Sequence, residues 1–316
     1  MLASTAVDCA LPLEQPRDRC TLCGTAGGLV VVSGVRDYEY GAPGEYRWLR
    51  CPGCGLVRLD PFPSPDVLER AYPPDYHAYV TPRSILGGWL IDRARAAVAR
   101  GLAAHLPDGG VVLDVGCSNG RLLADLGKLG TYRLLGVEYN AAMAAEARAR
   151  SVEVWCGELA DAPFAPRSVD LVVMQHVLEH VVAPLSTARI AATLLRPGGR
   201  LVGEVPNVAS WDARLFGRTW GGGHAPRHLS HFTPATLARL LASAGFSSVV
   251  VRPSLHTGHW ALSVQNWTRR NRYDTEGLRS GRTWYYPLLL LAFLPINLLQ
   301  MPAHATGVMR FEALRT

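Results

Sequence analysis

The sequence predicts an α/β protein with a mostly parallel sheet covered by helices on both faces, preceded by a small cysteine-rich module. From residue 111 onward, short β-branched runs alternate with helical stretches. This alternation favours crossover connections and parallel strands. Two Cys-x-x-Cys pairs lie earlier, in a segment rich in Pro, Gly and Tyr. We therefore expect a large doubly wound domain and a small module before it.

Composition is that of a globular protein. The 316 residues are 48% hydrophobic, and 32 basic against 26 acidic residues give a formal net charge of +6. No Lys/Arg run is dense enough for a nucleic-acid surface, so no nucleic-acid partner is expected. The first fifteen residues lack a basic start followed by an apolar block, so we expect no secretory signal and a cytoplasmic location.

Three zones follow from the patterning: a loose tail over 1–18, a cysteine module with a Tyr-rich linker over 19–80, and a larger domain over 84–316. Helical spacing predicts helices at Ser84–Leu106, Arg121–Leu129, Ala141–Arg150, from the end of the fourth strand to about Leu195, and Pro234–Ala244. Strands are predicted at Val111–Val115, Arg133–Glu138, Val152–Trp155, Val169–Met174, Arg200–Val205 and Ser247–Arg252, with an edge strand at Val308–Ala313.

The first strand of the larger domain ends in Asp114 and Gly116 before a tight turn. In open α/β sheets, ligands bind at the carboxyl ends of the strands, and Gly116 leaves room for a ligand near the backbone. A dinucleotide is disfavoured, because the G-x-G-x-x-G pattern fails at Ser118 and Arg121. Asp114 suits a ligand with a cationic end.

Five ordered blocks, LDVGCSNG, GVEYN, GELADAPF, VDLVVMQHVLEHV and LLRPGGRLVGEVPN, resemble the class I S-adenosylmethionine-dependent methyltransferases over about residues 110–255. The resemblance implies a doubly wound, mostly parallel seven-stranded sheet. It implies that Glu138 binds the ribose hydroxyls, and that Glu158 and the Leu159 backbone contact the adenine. The cofactor-binding residues predicted in all are Asp114, Gly116, Cys117, Gly120, Glu138, Tyr139, Glu158, Leu159 and Gln175. Ser118 departs from the glycine that many members have there.

The cysteine pairs, Cys20–Cys23 and Cys51–Cys54, are each followed by glycine. Four thiolates at this spacing suit tetrahedral Zn²⁺, and a thioredoxin-like redox pair is the alternative. We predict structural zinc on Cys20, Cys23, Cys51 and Cys54. Together with the preceding blocks, this module is similar to that of the sugar C-methyltransferases and other methyltransferases of natural-product pathways.

Histidines crowd between the fifth strand and the next helix, in His224–Thr233. A carbon or hydroxyl acceptor needs a base, and the resemblance points to His228, with His231 and His176 as further catalytic candidates. Arg227 replaces the glutamate usual in the sugar enzymes, and a cation there could hold a phosphate or carboxylate. The alternative is that His228 or His231 caps a helix or fills the core.

His176, Glu179 and His180 form the pattern H-x-x-E-H, which on one helix face also occurs in zinc peptidases. Some quinone O-methyltransferases place metal-binding acids in the corresponding loop, so a second metal site near these three residues is an alternative. The predicted function is methyl transfer from S-adenosylmethionine to a small, anionic or nucleotide-linked acceptor in sugar, polysaccharide or secondary metabolism. The alternatives are a quinone-type O-methyltransferase with a second metal, a peptidase-like hydrolase, and a non-catalytic cofactor-binding partner protein.

The apolar segment Trp284–Met301 contains no charged residue. Its length approaches the ~17–25 residues of a membrane span, but Pro287 and Pro295 divide it. Both of its ends must also return to one sheet. We therefore predict two short helices at about 284–302, either packed on the domain or facing a membrane surface or a protein partner. Five basic residues flank the segment: Arg269, Arg270, Arg272, Arg279 and Arg282.

Overall fold

The computed structural model describes residues 18–73, 76, 85–271, 278 and 281–316. Residues 1–17 of the tail predicted over 1–18, and most of the linker after residue 73, lie outside these residues. The strands are β1 Leu29–Val35, β2 Tyr46–Arg50, β3 Val57–Asp60, β4 Val111–Val115, β5 Arg133–Glu138, β6 Glu153–Cys156, β7 Val169–Gln175, β8 Leu195–Pro206, β9 Ser230–His231, β10 Phe246–Ser254 and β11 Val308–Arg315.

The helices follow the predicted periodicity closely in most places. They are α1 Pro65–Ala71, α2 Ile85–Ala103, α3 Arg121–Gly127, α4 Ala141–Arg148, α5 Pro184–Leu194, α6 Trp211–Phe216, α7 Pro234–Ser243, α8 Gly258–Arg269, α9 Tyr286–Ala292 and α10 Leu294–Gln300. Asn140 caps α4 by accepting hydrogen bonds from two backbone amides of the first turn. A Thr233–Thr236 capping box begins α7.

Seven strands form the main sheet in the order β10-β11-β8-β7-β4-β5-β6. The strands from β8 to β6 run parallel, and β11 is antiparallel to both of its neighbours. Apolar clusters cover both faces of the sheet: Leu113 and Met174 belong to one, Val112 and Val173 to the other. The predicted doubly wound seven-stranded fold is confirmed. Strand order reverses at β4, so the ligand crevice is expected at its carboxyl end.

Two strand predictions near the end of the sheet need correction. The last strand, β11, is not an edge strand, because it lies between β8 and β10, and β10 is the edge. The predicted turn Arg196–Gly199 is instead part of β8, which begins at Leu195. The predicted antiparallel pairing of the last strand with the strand at Ser247–Arg252, here β10, is confirmed, with Ser254 opposite Val308.

The helix predicted after β7 ends at Leu194, close to the expected Leu195, but its predicted start is wrong, since α5 begins only at Pro184. The carbonyl of Glu179 accepts hydrogen bonds from the amides of Leu229 and Ser230, at 2.7 and 3.2 Å. This pairing across the chain takes the carbonyl away from a helical partner. His176, Glu179 and His180 therefore lie in a turn and not along one helix, which removes the basis for a peptidase-like reading.

The cysteine module shares a sheet with the larger domain. Its strands form a second sheet, β1-β2-β3-β9, in which Val57 and Arg58 of β3 pair with His231 and Ser230. A common apolar cluster joins Trp48 of β2 to Trp220, with the indoles edge to face at 5.9 Å. The histidine-bearing segment therefore packs directly on the strands of the cysteine module.

Residues 255–307 connect β10 to β11. As predicted, the apolar segment forms two short helices, α9 and α10. No helix among the described residues is long and apolar enough to cross a membrane. Because β10 ends and β11 begins opposite the carboxyl end of β8, this insertion lies at the same sheet edge as the turn after β4.

Candidate functional site

The turn after β4 depends on three left-handed residues. Gly116, Ser118 and Gly120 have φ values of +74°, +46° and +73°. A Cβ on Gly120 would lie 2.8 Å from the Cβ of Ala147, and one on Gly116 would lie 3.1 Å from Val177. Ser118 adopts the backbone conformation that glycine favours. The sequence departure at this position therefore leaves the shape of the turn intact.

Glu138, at the end of β5, holds this turn. Its carboxylate accepts hydrogen bonds from the amides of Ser118 and Asn140, both at 2.8 Å. The side chain belongs to a residue that is only 8% exposed. Each carboxylate oxygen keeps a further lone pair. Glu138 can therefore hold the turn and still accept hydrogen bonds from a cis-diol.

Asp114 is the second buried carboxyl group at this edge, and its residue is 4% exposed. Burial and the charge of Glu138 raise the pKa of Asp114 to about 8. Burial also raises the pKa of Glu138, although backbone amides oppose it. Two neighbouring buried acids favour a ligand that brings positive charge and hydroxyl donors. S-adenosylmethionine carries an ammonium, a sulfonium and a ribose diol, and the residues present fit it.

The other predicted cofactor residues surround this pair unevenly. The amide of Gly157 donates to the carbonyl of Glu138 at 3.0 Å, which brings Glu158 and buried Leu159 next to it. Tyr139 is 48% exposed. Gln175 ends β7, opposite Glu204 of β8. Cys117 lines the turn with its backbone only, because its Sγ points at Gly136, where an added Cβ would lie 2.6 Å away.

His176 begins the loop after β7, and its φ of +53° is unusual for a residue with a side chain. Its Nδ1 is hydrogen-bonded to Oε1 of Glu179 at 3.0 Å. The His176 side chain is 36% exposed, whereas that of Glu179 is 1% exposed. Burial disfavours the charged ring, but the carboxylates of Glu179 and Glu204 outweigh it and raise the pKa of His176. The next residue, Val177, touches the glycine turn.

His228 lies beside the same loop, with its ring 4.6 Å from that of His180. Its Nδ1 donates to the carbonyl of Gly222 at 2.9 Å, which leaves a lone pair on Nε2. Burial and the neighbouring rings of His180, His224 and His231 hold the pKa of His228 well below its usual value. The ring is therefore neutral at pH 7. Its position permits a role as base, but its low pKa weakens that role.

Two sequence-based expectations about the histidine segment change. Arg227 cannot grip a substrate, because its guanidinium is buried in an ion pair with Asp37 at 2.6 Å and donates to the carbonyl of Ala71. His231 is 1% exposed and packs against Trp48, with ring centroids 4.7 Å apart. Burial lowers the pKa of His231 to about 3. The structure thus places His231 in the core, as the packing alternative expected, and gives no support to a catalytic role.

Sequence reasoning missed a buried network behind these histidines. Glu39 accepts a hydrogen bond from Nδ1 of His224 at 2.8 Å, and His224 Nε2 accepts one from Tyr76 at 3.2 Å. Arg282 from the insertion donates to the same carboxylate at 2.9 Å. Nearby, the hydroxyl of Tyr72 lies 2.9 Å from Nδ1 of His180. The Tyr-rich composition after residue 71 was the only signal for these contacts.

The four cysteines of the two Cys-x-x-Cys pairs converge. Sγ of Cys20 lies 3.5 Å from that of Cys54, and Cys23 lies 3.5 Å from Cys51. All four sulfur atoms lie within 4.8 Å of one another. A tetrahedron with zinc–sulfur bonds of about 2.3 Å separates its sulfurs by about 3.8 Å. The donor set therefore fits one zinc ion with little movement.

A second group of possible ligand atoms lies in the histidine region. Glu179, His180 and His228 each offer one atom within 4.8 Å of the others. Oε2 of Glu179 is buried without a hydrogen-bond partner among the described residues. This triplet differs from the one expected from H-x-x-E-H, because His228 replaces His176.

Several curated proteins are similar to part of this chain. A probable S-adenosylmethionine-dependent methyltransferase of Mycolicibacterium smegmatis is 34% identical over 148 residues, which are 45% of this chain and 54% of that protein. A ubiquinone biosynthesis O-methyltransferase of Xanthomonas euvesicatoria is 31% identical over 152 residues, 43% of this chain and 62% of that protein. The chain thus spans little more than half the length of these relatives.

Among solved structures, phosphoethanolamine N-methyltransferase 2 of Haemonchus contortus, in complex with S-adenosyl-L-methionine, has a TM-score of 0.49 at 18% identity. The match covers 82% of this chain and 62% of that one. Residues 87–251, just over half of the chain, match the family described as methyltransferase domain. They include the glycine turn, Glu138 and the loop that carries His176. The chain therefore belongs to the methyltransferase-domain family.

Proposed function

We propose that this chain transfers a methyl group from S-adenosylmethionine to a small acceptor. The observation that carries the proposal is the left-handed turn clasped by Glu138, which opens beside the loop bearing His176. The bound cofactor would supply an electrophilic methyl group. Asp114 would face its positive charge, and Glu138 would hold its ribose. Alignment and exclusion of water are the main contributions that a protein makes to such a displacement.

For the base, the geometry favours His176. The Nδ1 of the ring is held by Glu179 at 3.0 Å. The other ring nitrogen has no hydrogen bond to the described residues and can take a proton from an acceptor hydroxyl or carbon. Its raised pKa suits proton transfer near neutral pH better than the lowered pKa of His228. His228 remains the second candidate, because the loop of His176 and His180 packs against it.

The proposed acceptor class rests on the resemblance to sugar and natural-product methyltransferases. Arg227 does not support it, because its guanidinium is buried in the ion pair with Asp37. We propose a small anionic or nucleotide-linked acceptor of sugar, polysaccharide or secondary metabolism. The net charge of +6 is compatible with an anionic acceptor. A screen of nucleotide sugars, sugar phosphates and catechols with methyl-labelled cofactor tests the proposal. If the protein binds the cofactor but transfers labelled methyl to none of these acceptors, the alternative of a non-catalytic cofactor-binding partner protein is favoured.

A second candidate is a quinone-type O-methyltransferase with its own metal. Oε2 of Glu179, which is buried and has no hydrogen-bond partner among the described residues, lies beside His180 and His228 and favours it. Ubiquinone biosynthesis O-methyltransferases are also among the similar proteins. A metal there would polarise an acceptor oxygen and replace a base. A methyl acceptor of the catechol type, active only with added divalent metal, would support this candidate.

The cofactor prediction concerns Glu138. Glu138→Ala should weaken binding of S-adenosylhomocysteine by about 1.5–3 kcal/mol, the scale of lost charge-assisted hydrogen bonds. Glu146→Ala is the matched control, because Glu146 lies on the neighbouring helix with a side chain that is 50% exposed. Calorimetry measures both variants. Equal affinity in Glu138→Ala and wild type would remove Glu138 from the site.

The catalytic prediction separates the two histidines. His176→Ala should lower turnover by about 10²–10⁴-fold, as expected for a lost general base, with nearly unchanged affinity for S-adenosylhomocysteine. Glu179→Gln should shift the acidic limb of the kcat/KM profile to lower pH, because the Glu179 carboxylate raises the pKa of His176. If His228→Ala loses this activity and His176→Ala stays within a few-fold of wild type, the assignment is reversed.

The metal prediction is one zinc per chain, held by Cys20, Cys23, Cys51 and Cys54. Cys51→Ser should release it. Because β3 pairs with β9, the loss should also increase hydrogen exchange in residues 224–231, beyond the unfolding of the module alone. Elemental analysis and hydrogen-exchange mass spectrometry give the two readouts. Full zinc retention in Cys51→Ser would contradict the assignment, and two zinc ions per wild-type chain would support the second metal.

A further inference from the structure

The two helices of the insertion present an apolar outer surface. We call it the leucine face, and it consists of Leu288, Leu291, Leu294, Leu298 and Leu299. Their exposed fractions are 61%, 72%, 39%, 52% and 67%. Trp284, just before α9, is 84% exposed. Contiguous exposed apolar patches of this kind mark interaction sites.

The inner side of these helices has the opposite polarity. Asn297 and Gln300 of α10 are fully buried, and Gln300 accepts a hydrogen bond from the indole of Trp260 at 2.9 Å. Asn297 accepts one from the amide of His256 at 3.0 Å. Phe293 stacks on Trp260 at 5.0 Å. The helices are therefore held in place by polar and aromatic contacts, and the five leucines of the leucine face point outward.

The segment that carries the leucine face has no acidic residue, because the sequence contains none between Glu276 and Glu312. Arg270 stacks over the indole of Trp267 at 4.4 Å, and Trp267 is 50% exposed. Of the other flanking arginines, Arg269 ends α8, Arg282 is paired with Glu39, and Arg272 and Arg279 lie outside the described residues. Exposed tryptophans with arginine beside a leucine surface are typical of contact with an anionic lipid headgroup region.

We propose that the leucine face binds an anionic membrane surface, with α9 and α10 lying in the plane of the headgroups. A protein partner would need hydrogen bonds, about one per 100–200 Å² of interface, and the leucine face has no polar side chain to supply them. Leucine is also under-represented among the residues that dominate protein interfaces. Lipid makes neither demand.

The position of the face has a consequence for the site. The insertion starts and ends at the carboxyl edge of the sheet, where Ser254 and Val308 lie opposite each other and Val308 pairs with Pro206. The glycine turn after β4 opens at this same edge. The proposed membrane contact therefore lies on the insertion that begins and ends at the cofactor edge of the sheet.

The test is flotation with vesicles of phosphatidylcholine alone or mixed with phosphatidylglycerol. The wild-type chain should float with the mixed vesicles, and the double variant Leu291→Asp/Leu299→Asp should lose at least about tenfold in partition coefficient. Leu129→Asp is the matched control, because Leu129 is 44% exposed and precedes β5 at the opposite sheet edge. It should float like wild type.

Binding of S-adenosylhomocysteine, unchanged in all three proteins, would show that each is folded. Wild-type protein that stays in solution with both kinds of vesicle would overturn the proposal. It would also be overturned if light scattering showed a wild-type oligomer that dissociates in the double variant, since the face would then bind a second copy.

Discussion

Two backbone amides, from Ser118 and Asn140, converge on the carboxylate of Glu138 at 2.8 Å each. These bonds join the turn after β4 to the end of β5 and to the start of α4. Beside these bonds lies Asp114, a second buried acid whose pKa is raised to about 8. Holding two carboxyl groups so close is unfavourable without a cationic partner. Glu138 thus shapes the crevice through these hydrogen bonds and, together with Asp114, gives it a preference for a cationic ligand.

Around this crevice the chain arranges histidines in different electrostatic surroundings. His176 pairs with Glu179 and gains affinity for a proton, while His228, His224 and His231 are buried and kept neutral. The neutral rings are supported by the small sheet, through the pairing of β3 with β9. The cysteine module therefore contributes to the site by shaping the histidine segment.

The sequence was informative where the contacts are local. The glycine turn, Glu138 and the cysteine pairs depend on neighbours within a few residues or on strand order, and the structure brings each set together. The Glu39–His224 and Asp37–Arg227 contacts join residues 185 and 190 positions apart, and no periodicity or motif indicates them. Because the sequence gives no sign of the Asp37 contact, Arg227 was expected to face a substrate. The loop of His176 has helical spacing, but the pairing of the Glu179 carbonyl with residues 229 and 230 overrides it.

The central claim is that buried acids receive a cationic cofactor, and proton linkage tests it most directly. With a pKa of about 8, Asp114 is mostly protonated at pH 7 in the free protein. A cationic ligand favours the carboxylate, so binding should release a proton and affinity should rise with pH up to about 8. Calorimetry with S-adenosylmethionine in buffers of different ionisation enthalpy measures the release. The account predicts proton release in wild type and its loss in Asp114→Asn. Binding with no proton release, and with no change in affinity between about pH 6 and about pH 9, a range that brackets this pKa, would contradict it.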